Sequence, residues 1–135
     1  MVVDADFDPN TGRGFRIIEQ GVLTVREVGR QLRTILEPAD IVTYETWRLY
    51  ETHALAMIGN DMQPSQVVGM IRYEAWAQNK KVVSNGADIK GPAVRTMPQW
   101  LLDHMDQSSE QHDQDAIMHA WYVAWRQHYT GGYSG

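Results

Sequence analysis

The sequence predicts one α/β domain built on a mixed five-stranded sheet, an antiparallel meander of three strands plus two parallel strands, with helices on both faces. Three observations predict it. Residues 2–23 are short apolar runs broken by turn residues. Residues 24–83 then switch twice between helical and extended patterning, and the last third is helical. At 135 residues, 43% hydrophobic, with five Trp and seven Met, the chain suffices for one core and is too short for two ordinary domains. The expected domain covers 1–128, and 129–135 is a Gly- and Tyr-rich tail.

Each element has a local reason. Residues 2–8, VVDADFD, alternate with a period of two, so Val3, Ala5 and Phe7 share one side and Asp4, Asp6 and Asp8 the other. A solvated edge strand accounts for so acidic a face. Pro9-Asn10-Thr11-Gly12 is a turn, 15–18 a second strand, and Gly21 reverses the chain into a third around Val22 and Leu23. Thr24-Val25-Arg26-Glu27 is a capping box that opens a helix with the stripe Val25, Val28, Leu32, Ile35 and Leu36, stopped by Pro38. Arg26, Arg30 and Arg33 fall on its solvated side.

The β-branched run Ile41-Val42-Thr43 is a strand ending on Glu45, followed by Trp47, Arg48 and Tyr50. Residues 51–63 lack a period and read as a loop. A helix over 64–78 starts at Pro64 and is apolar nearly all round, which predicts burial, with Gly69 allowing a close neighbour. Val82-Val83 form a last strand, and 87–95 is loop-like. Thr96-Met97-Pro98-Gln99 and Ser108-Ser109-Glu110-Gln111 cap two further helices, to His104 and about His128. The final stripe is Ala116, Ile117, Ala120, Trp121, Ala124 and Trp125.

Composition narrows function. There is no cysteine, so neither a disulfide framework nor a thiolate metal site exists. The acidic start MVVDADFD is unlike a signal peptide, and no apolar run reaches the roughly 20 residues of a membrane span, so a cytoplasmic protein without membrane attachment is expected. A net charge of −5 argues against simple nucleic-acid binding. Clustered acids that hold cations would hide that charge from a phosphate.

A carboxylate at the end of a buried strand is costly unless something positive meets it, and ligands of open α/β sheets gather at the carboxyl ends of strands. Glu45 is such a group. Asp8 ends the first strand, and Asp113 or Asp115 lies in the first turns of the last helix, where the dipole favours negative charge. If the first and fourth strands are parallel neighbours, Asp8 and Glu45 project from one end of the sheet. His112 shares the face of Asp115 at i−3. Such carboxylates suit hard divalent cations; separate surface acids and a capping Asp are the plain alternative. His112, Asp115 and His119, at i, i+3 and i+7, are also compatible with zinc.

The order of these pieces resembles the RuvC-like Holliday junction resolvases of phage type, within the RNase H-like superfamily. The matching pieces are Phe7-Asp8-Pro9, Val42-Thr43-Tyr44-Glu45 and His112-Asp113-Gln114-Asp115-Ala116, together with Gln66 to Trp76, Val82-Val83 and Ile89-Lys90. The resemblance implies an RNase H-like fold and an endonuclease that cuts four-way DNA junctions with two Mg²⁺ ions, Mn²⁺ substituting, as a homodimer. It implies Asp8, Glu45 and Asp115 as metal ligands, with Asp113 the candidate if the register differs by two. His112 would be a ligand or would position the attacking water. Lys90 would contact a phosphate or steady the site, and Trp47, Arg48, Tyr50, Lys90 and Arg95 would lie against DNA. The chain departs from the family in the turn Asp8-Pro9-Asn10-Thr11-Gly12, which lacks the usual glycine after proline, and in Asp4 and Asp6 before it.

Overall fold

A computed structural model describes residues 1–46 and 63–130, in two compact units. The first unit joins Met1–Val22 to Ala87–Gly135, and the second is Leu23–Gly86. The elements are β1 (Val2–Asp8), β2 (Arg13–Arg16), α1 (Val25–Leu36), β3 (Ile41–Glu45), α2 (Gln63–Ala77), β4 (Lys81–Asn85), a 3₁₀ turn (Ala87–Ile89), α3 (Lys90–Thr96), α4 (Gln99–Asp106) and α5 (Gln111–Thr130).

The five-stranded RNase H-like sheet is not what forms. Among the described residues there are two sheets of two strands each, an antiparallel β1–β2 pair and a parallel β3–β4 pair. β1 and β3 therefore belong to separate sheets, and the pairing that would have aligned Asp8 with Glu45 is not made. The third meander strand is also absent: Val22 and Leu23 are 47% and 36% exposed and lie in an unpaired connector. Gln20 gives the reason, because its side chain bonds to His104 of α4 and Asp113 of α5 instead of running along a strand edge.

In the first unit, α5 is the centre. Ile117 and Trp121 are fully buried, as is Leu101 of α4. The hairpin lays Phe7 and Phe15 on Trp121, with ring centroids 5.6 and 5.3 Å away and edges near perpendicular. The acidic strand face is solved locally: Asp6 pairs with Arg13 at 2.8 Å and Asp4 with Arg16 at 2.9 Å, both across the hairpin. Residues 87–95 are helical rather than loop-like. Pro92 sits in the first turn of α3, where no N–H partner is needed, and buried Ile89 and Ala93 anchor the segment. Thr96 does not cap α4. Its hydroxyl bonds back to the Pro92 and Ala93 carbonyls at 3.0 Å and accepts the Trp121 indole N–H at 3.0 Å.

In the second unit, the Thr24 cap forms as expected, accepting the Glu27 N–H at 3.2 Å. Leu32, Leu36, Val42 and Ala75 make the core, with Val28, Met70, Ile71 and Val82 against it. α2 is not buried all round. A two-stranded sheet and one helix cover only a stripe of it, leaving Tyr73 69% and Trp76 64% exposed. A methyl group added at Gly69 would meet no described atom within 4 Å, so close packing is not its role.

Candidate functional site

The expected carboxylates fall on different elements. Asp8 closes β1 and turns inward on its own loop: Oδ1 accepts the Asn10 N–H at 2.9 Å, and its carbonyl accepts the Gly12 N–H at 2.8 Å. This is an Asx-turn. The turn is clamped from α4, as Trp100 donates its indole N–H to the Thr11 carbonyl at 2.8 Å.

Asp115 and Lys90 do meet. Lys90 Nζ lies 3.1 Å from Asp115 Oδ2, with side chains 29% and 15% exposed. The Gln111 amide donates to Asp115 Oδ1 at 2.8 Å, one helical turn earlier. Both side chains are largely shielded, so solvent screens the pair less than it would a fully exposed one. His112 is exposed beside it, and Arg95 is exposed on α3.

Asp113 is the buried acid of the set, only 6% exposed. Oδ2 takes the Gln20 amide at 2.7 Å and the Ser108 hydroxyl at 2.8 Å, and His104 Nε2 approaches Gln20 Oε1 at 2.6 Å. The α5 dipole adds to this, since Asp113 lies in its first turn. Ser108 thus serves Asp113 as well as accepting the Glu110 N–H at 3.3 Å. The tie explains why Gln20, unremarkable in sequence, fixes the connector after β2.

Along the last helix, β1 does not meet the acidic end. Phe7 packs on Trp121 and His128, with centroids 5.6 and 5.9 Å away. His128 lies thirteen residues beyond Asp115, about 20 Å at 1.5 Å per residue.

Glu45 belongs to the second unit, at the carboxyl end of the parallel pair, where it is half-buried opposite Asn85 in register. The Thr46 N–H continues the ladder to the Asn85 carbonyl at 2.7 Å. Two polar atoms near it were not singled out by sequence. Thr43 Oγ1 and Asn85 Nδ2 are buried without a hydrogen-bond partner among the described residues. Such a group costs about 1–3 kcal/mol and asks for an explanation. No signal in the sequence pointed to them, since only Val82-Val83 reads as a strand and Asn85 beside Gly86 as a turn. Trp47, Arg48 and Tyr50 lie outside the described residues.

As metal ligands, Asp8, Glu45 and Asp115 have the right chemistry, being hard oxygen donors. They do not fit as a group: among the described residues no three His, Asp or Glu side chains come together to hold an ion. The zinc alternative meets the same obstacle, with His112 exposed and His119 buried on another part of the helix. No helix among the described residues is long and apolar enough to cross a membrane.

No family model, curated protein or solved structure matches the chain. Function therefore rests on the residues themselves.

The Asp6–Arg13 pair shifts the titration of both its groups. The Arg13 hydrogen bond, reinforced by its charge, holds the Asp6 carboxyl below its ordinary value, and Asp6 holds the Arg13 guanidinium above its own.

Proposed function

We propose that the chain is an endonuclease that hydrolyses phosphodiesters in branched DNA, four-way junctions foremost, with dependence on Mg²⁺ or Mn²⁺. The observation that carries the reading is the Lys90–Asp115 pair at 3.1 Å. The resemblance to RuvC-like resolvases assigns a site carboxylate and a supporting lysine to these two positions, 25 residues apart, and they are in contact. Asp8 and Glu45, each closing a strand, complete the motif order. Lys90 steadies Asp115 and brings a cation where a DNA backbone would approach. The metal requirement and a homodimeric assembly enter through the resemblance alone, and the reading does not include the sheet that the family carries.

A second reading is a branched-DNA-binding module without catalysis. It is favoured by the internal use of two carboxylates: Asp8 Oδ1 is engaged by Asn10, and both oxygens of Asp115 are engaged by Lys90 and Gln111.

One experiment separates them. Labelled four-way junction, duplex and single strand are incubated with the protein in Mg²⁺ or EDTA, beside Asp8→Asn, Glu45→Gln and Asp115→Asn. Junction-selective, metal-dependent cutting lost in all three variants supports the nuclease. Binding without cutting supports the module, and cutting that survives the substitutions sinks the assigned residues.

A further inference from the structure

Helix α1 has two faces of opposite character. Leu32 and Leu36 are buried with Ala75 of α2, and Val28 packs against them. Arg26, Arg30 and Arg33, spaced i, i+4 and i+7, share another side of the helix and are exposed. None of these arginines makes an ion pair or a side-chain hydrogen bond among the described residues. By contrast, Arg13 and Arg16 meet acids, and Arg72 meets the Tyr44 hydroxyl at 2.6 Å. Like charges one turn apart repel, and the stripe is left so although acids outnumber Lys and Arg by 17 to 12.

The turn after α2 extends the stripe. Asn79 takes a φ of +57°, and the Asn79 and Lys80 N–H groups bond back to the Trp76 and Ala75 carbonyls at 3.1 and 2.8 Å, a Schellman closure. This turns Lys80 onto α1, where Nζ donates to the Glu37 carbonyl at 2.8 Å. The Gln78 amide donates to the Arg33 carbonyl beside it at 3.1 Å. Lys80 therefore stands at the carboxyl end of α1, one turn beyond Arg33. The exposed Glu37 side chain is the acid at that end.

We propose that this stripe grips the phosphodiester backbone of DNA, as a contact surface on the second unit. A guanidinium fork matches two oxygens of a phosphate, and all three helical positions carry arginine rather than lysine. From Arg26 to Arg33 the helix rises about 10 Å, over which one strand of a duplex advances about three phosphates. A membrane surface fits less well, because the apolar face that such a helix would bury in lipid is already occupied by the core. The choice of DNA rests on the reading proposed above; the contact itself needs neither cutting nor metal.

The test measures binding of the full chain to a labelled four-way junction and to matched duplex, in EDTA and across a range of salt. Circular dichroism checks folding. Arg26→Gln, Arg30→Gln and Arg33→Gln combined should lower the slope of log K against log salt by about 0.9 for each contact given up, about 2.7 in all, with the unfolding midpoint unchanged. Arg→Lys at the same three positions should keep the slope and weaken affinity several-fold, since the charge stays and the fork goes. Glu37→Gln should tighten binding. A slope that the Gln variant leaves unchanged overturns the proposal, even if the chain cuts junctions in Mg²⁺. Polyglutamate that displaces the DNA as well as unlabelled DNA does overturns it too, and makes the stripe a surface for acidic polypeptide. A slope lowered by the Gln variant in a protein that cuts nothing upholds the stripe and rejects the nuclease. Absence of binding to either DNA overturns both.

Discussion

Adding one methyl group at Gly12 would bring it within 2.6 Å of Pro98 Cγ and 2.8 Å of Trp100 Nε1, at a φ of +77° that side chains avoid. Gly12→Ala should therefore cost about 2 kcal/mol or more, read as a lower urea midpoint. Gly21→Ala, with nothing within 4 Å, serves as the neutral control. The Asp6–Arg13 pair makes a prediction about pH. Because the folded-state pKa of Asp6 is lowered, its contribution is present above the unfolded value and lost as pH falls through the folded one. Arg13→Gln should move the Asp6 titration up toward its ordinary range, seen in carboxyl ¹³C shifts; both side chains are solvated, so the effect on stability should be small. Residue roles were only partly legible. The acidity of β1 was visible, but its answer was not, because Arg13 and Arg16 meet Asp6 and Asp4 only after the hairpin closes.

At the scale of elements, local signals held where they were self-contained. The Thr24 box and the stripe of α1 depend on residues three or four apart, and the helix forms between Val25 and Leu36. Strand partners are set by distant residues, so the existence of β1, β3 and β4 was readable and their grouping into one sheet was not. Gly91 and Pro92 read as breakers, but Pro in a first turn starts a helix as readily as it stops one. Burial divides the apolar positions sharply. Ile117 is fully buried and Ile35 47% exposed, though both belong to expected stripes. Ile117→Ala should cost about 2–5 kcal/mol and Ile35→Ala under about 0.5 kcal/mol, compared by denaturant unfolding.

For the whole molecule, charge is the governing quantity. Under the proposed function, a chain of net charge −5 would have to meet DNA through local cations, for which the proposal names Lys90 and Arg95. Junction affinity should fall with rising salt, and Lys90→Met should shallow the slope of log K against log salt by about one phosphate contact. A slope unchanged by Lys90→Met would remove that lysine from the interface. The candidate site was legible as a set of motifs in order, and less so as geometry. The resemblance named Lys90 and Asp115 separately, and their contact appears only in the fold; Thr43 and Asn85 became visible only once β3 and β4 were in register.

The first unit is assembled from two segments separated in sequence, Met1–Val22 and Ala87–Gly135. During synthesis this separates the two halves in time. Phe7 and Phe15 leave the ribosome well before the Trp121 face that receives them. The continuous segment Leu23–Gly86 has no such wait and holds its own core. A ribosome-held chain ending before Trp121 emerges should leave the β1–β2 hairpin open to protease while α1 and β3 already resist it. Protection of the hairpin at that stage would show that it closes without the helix.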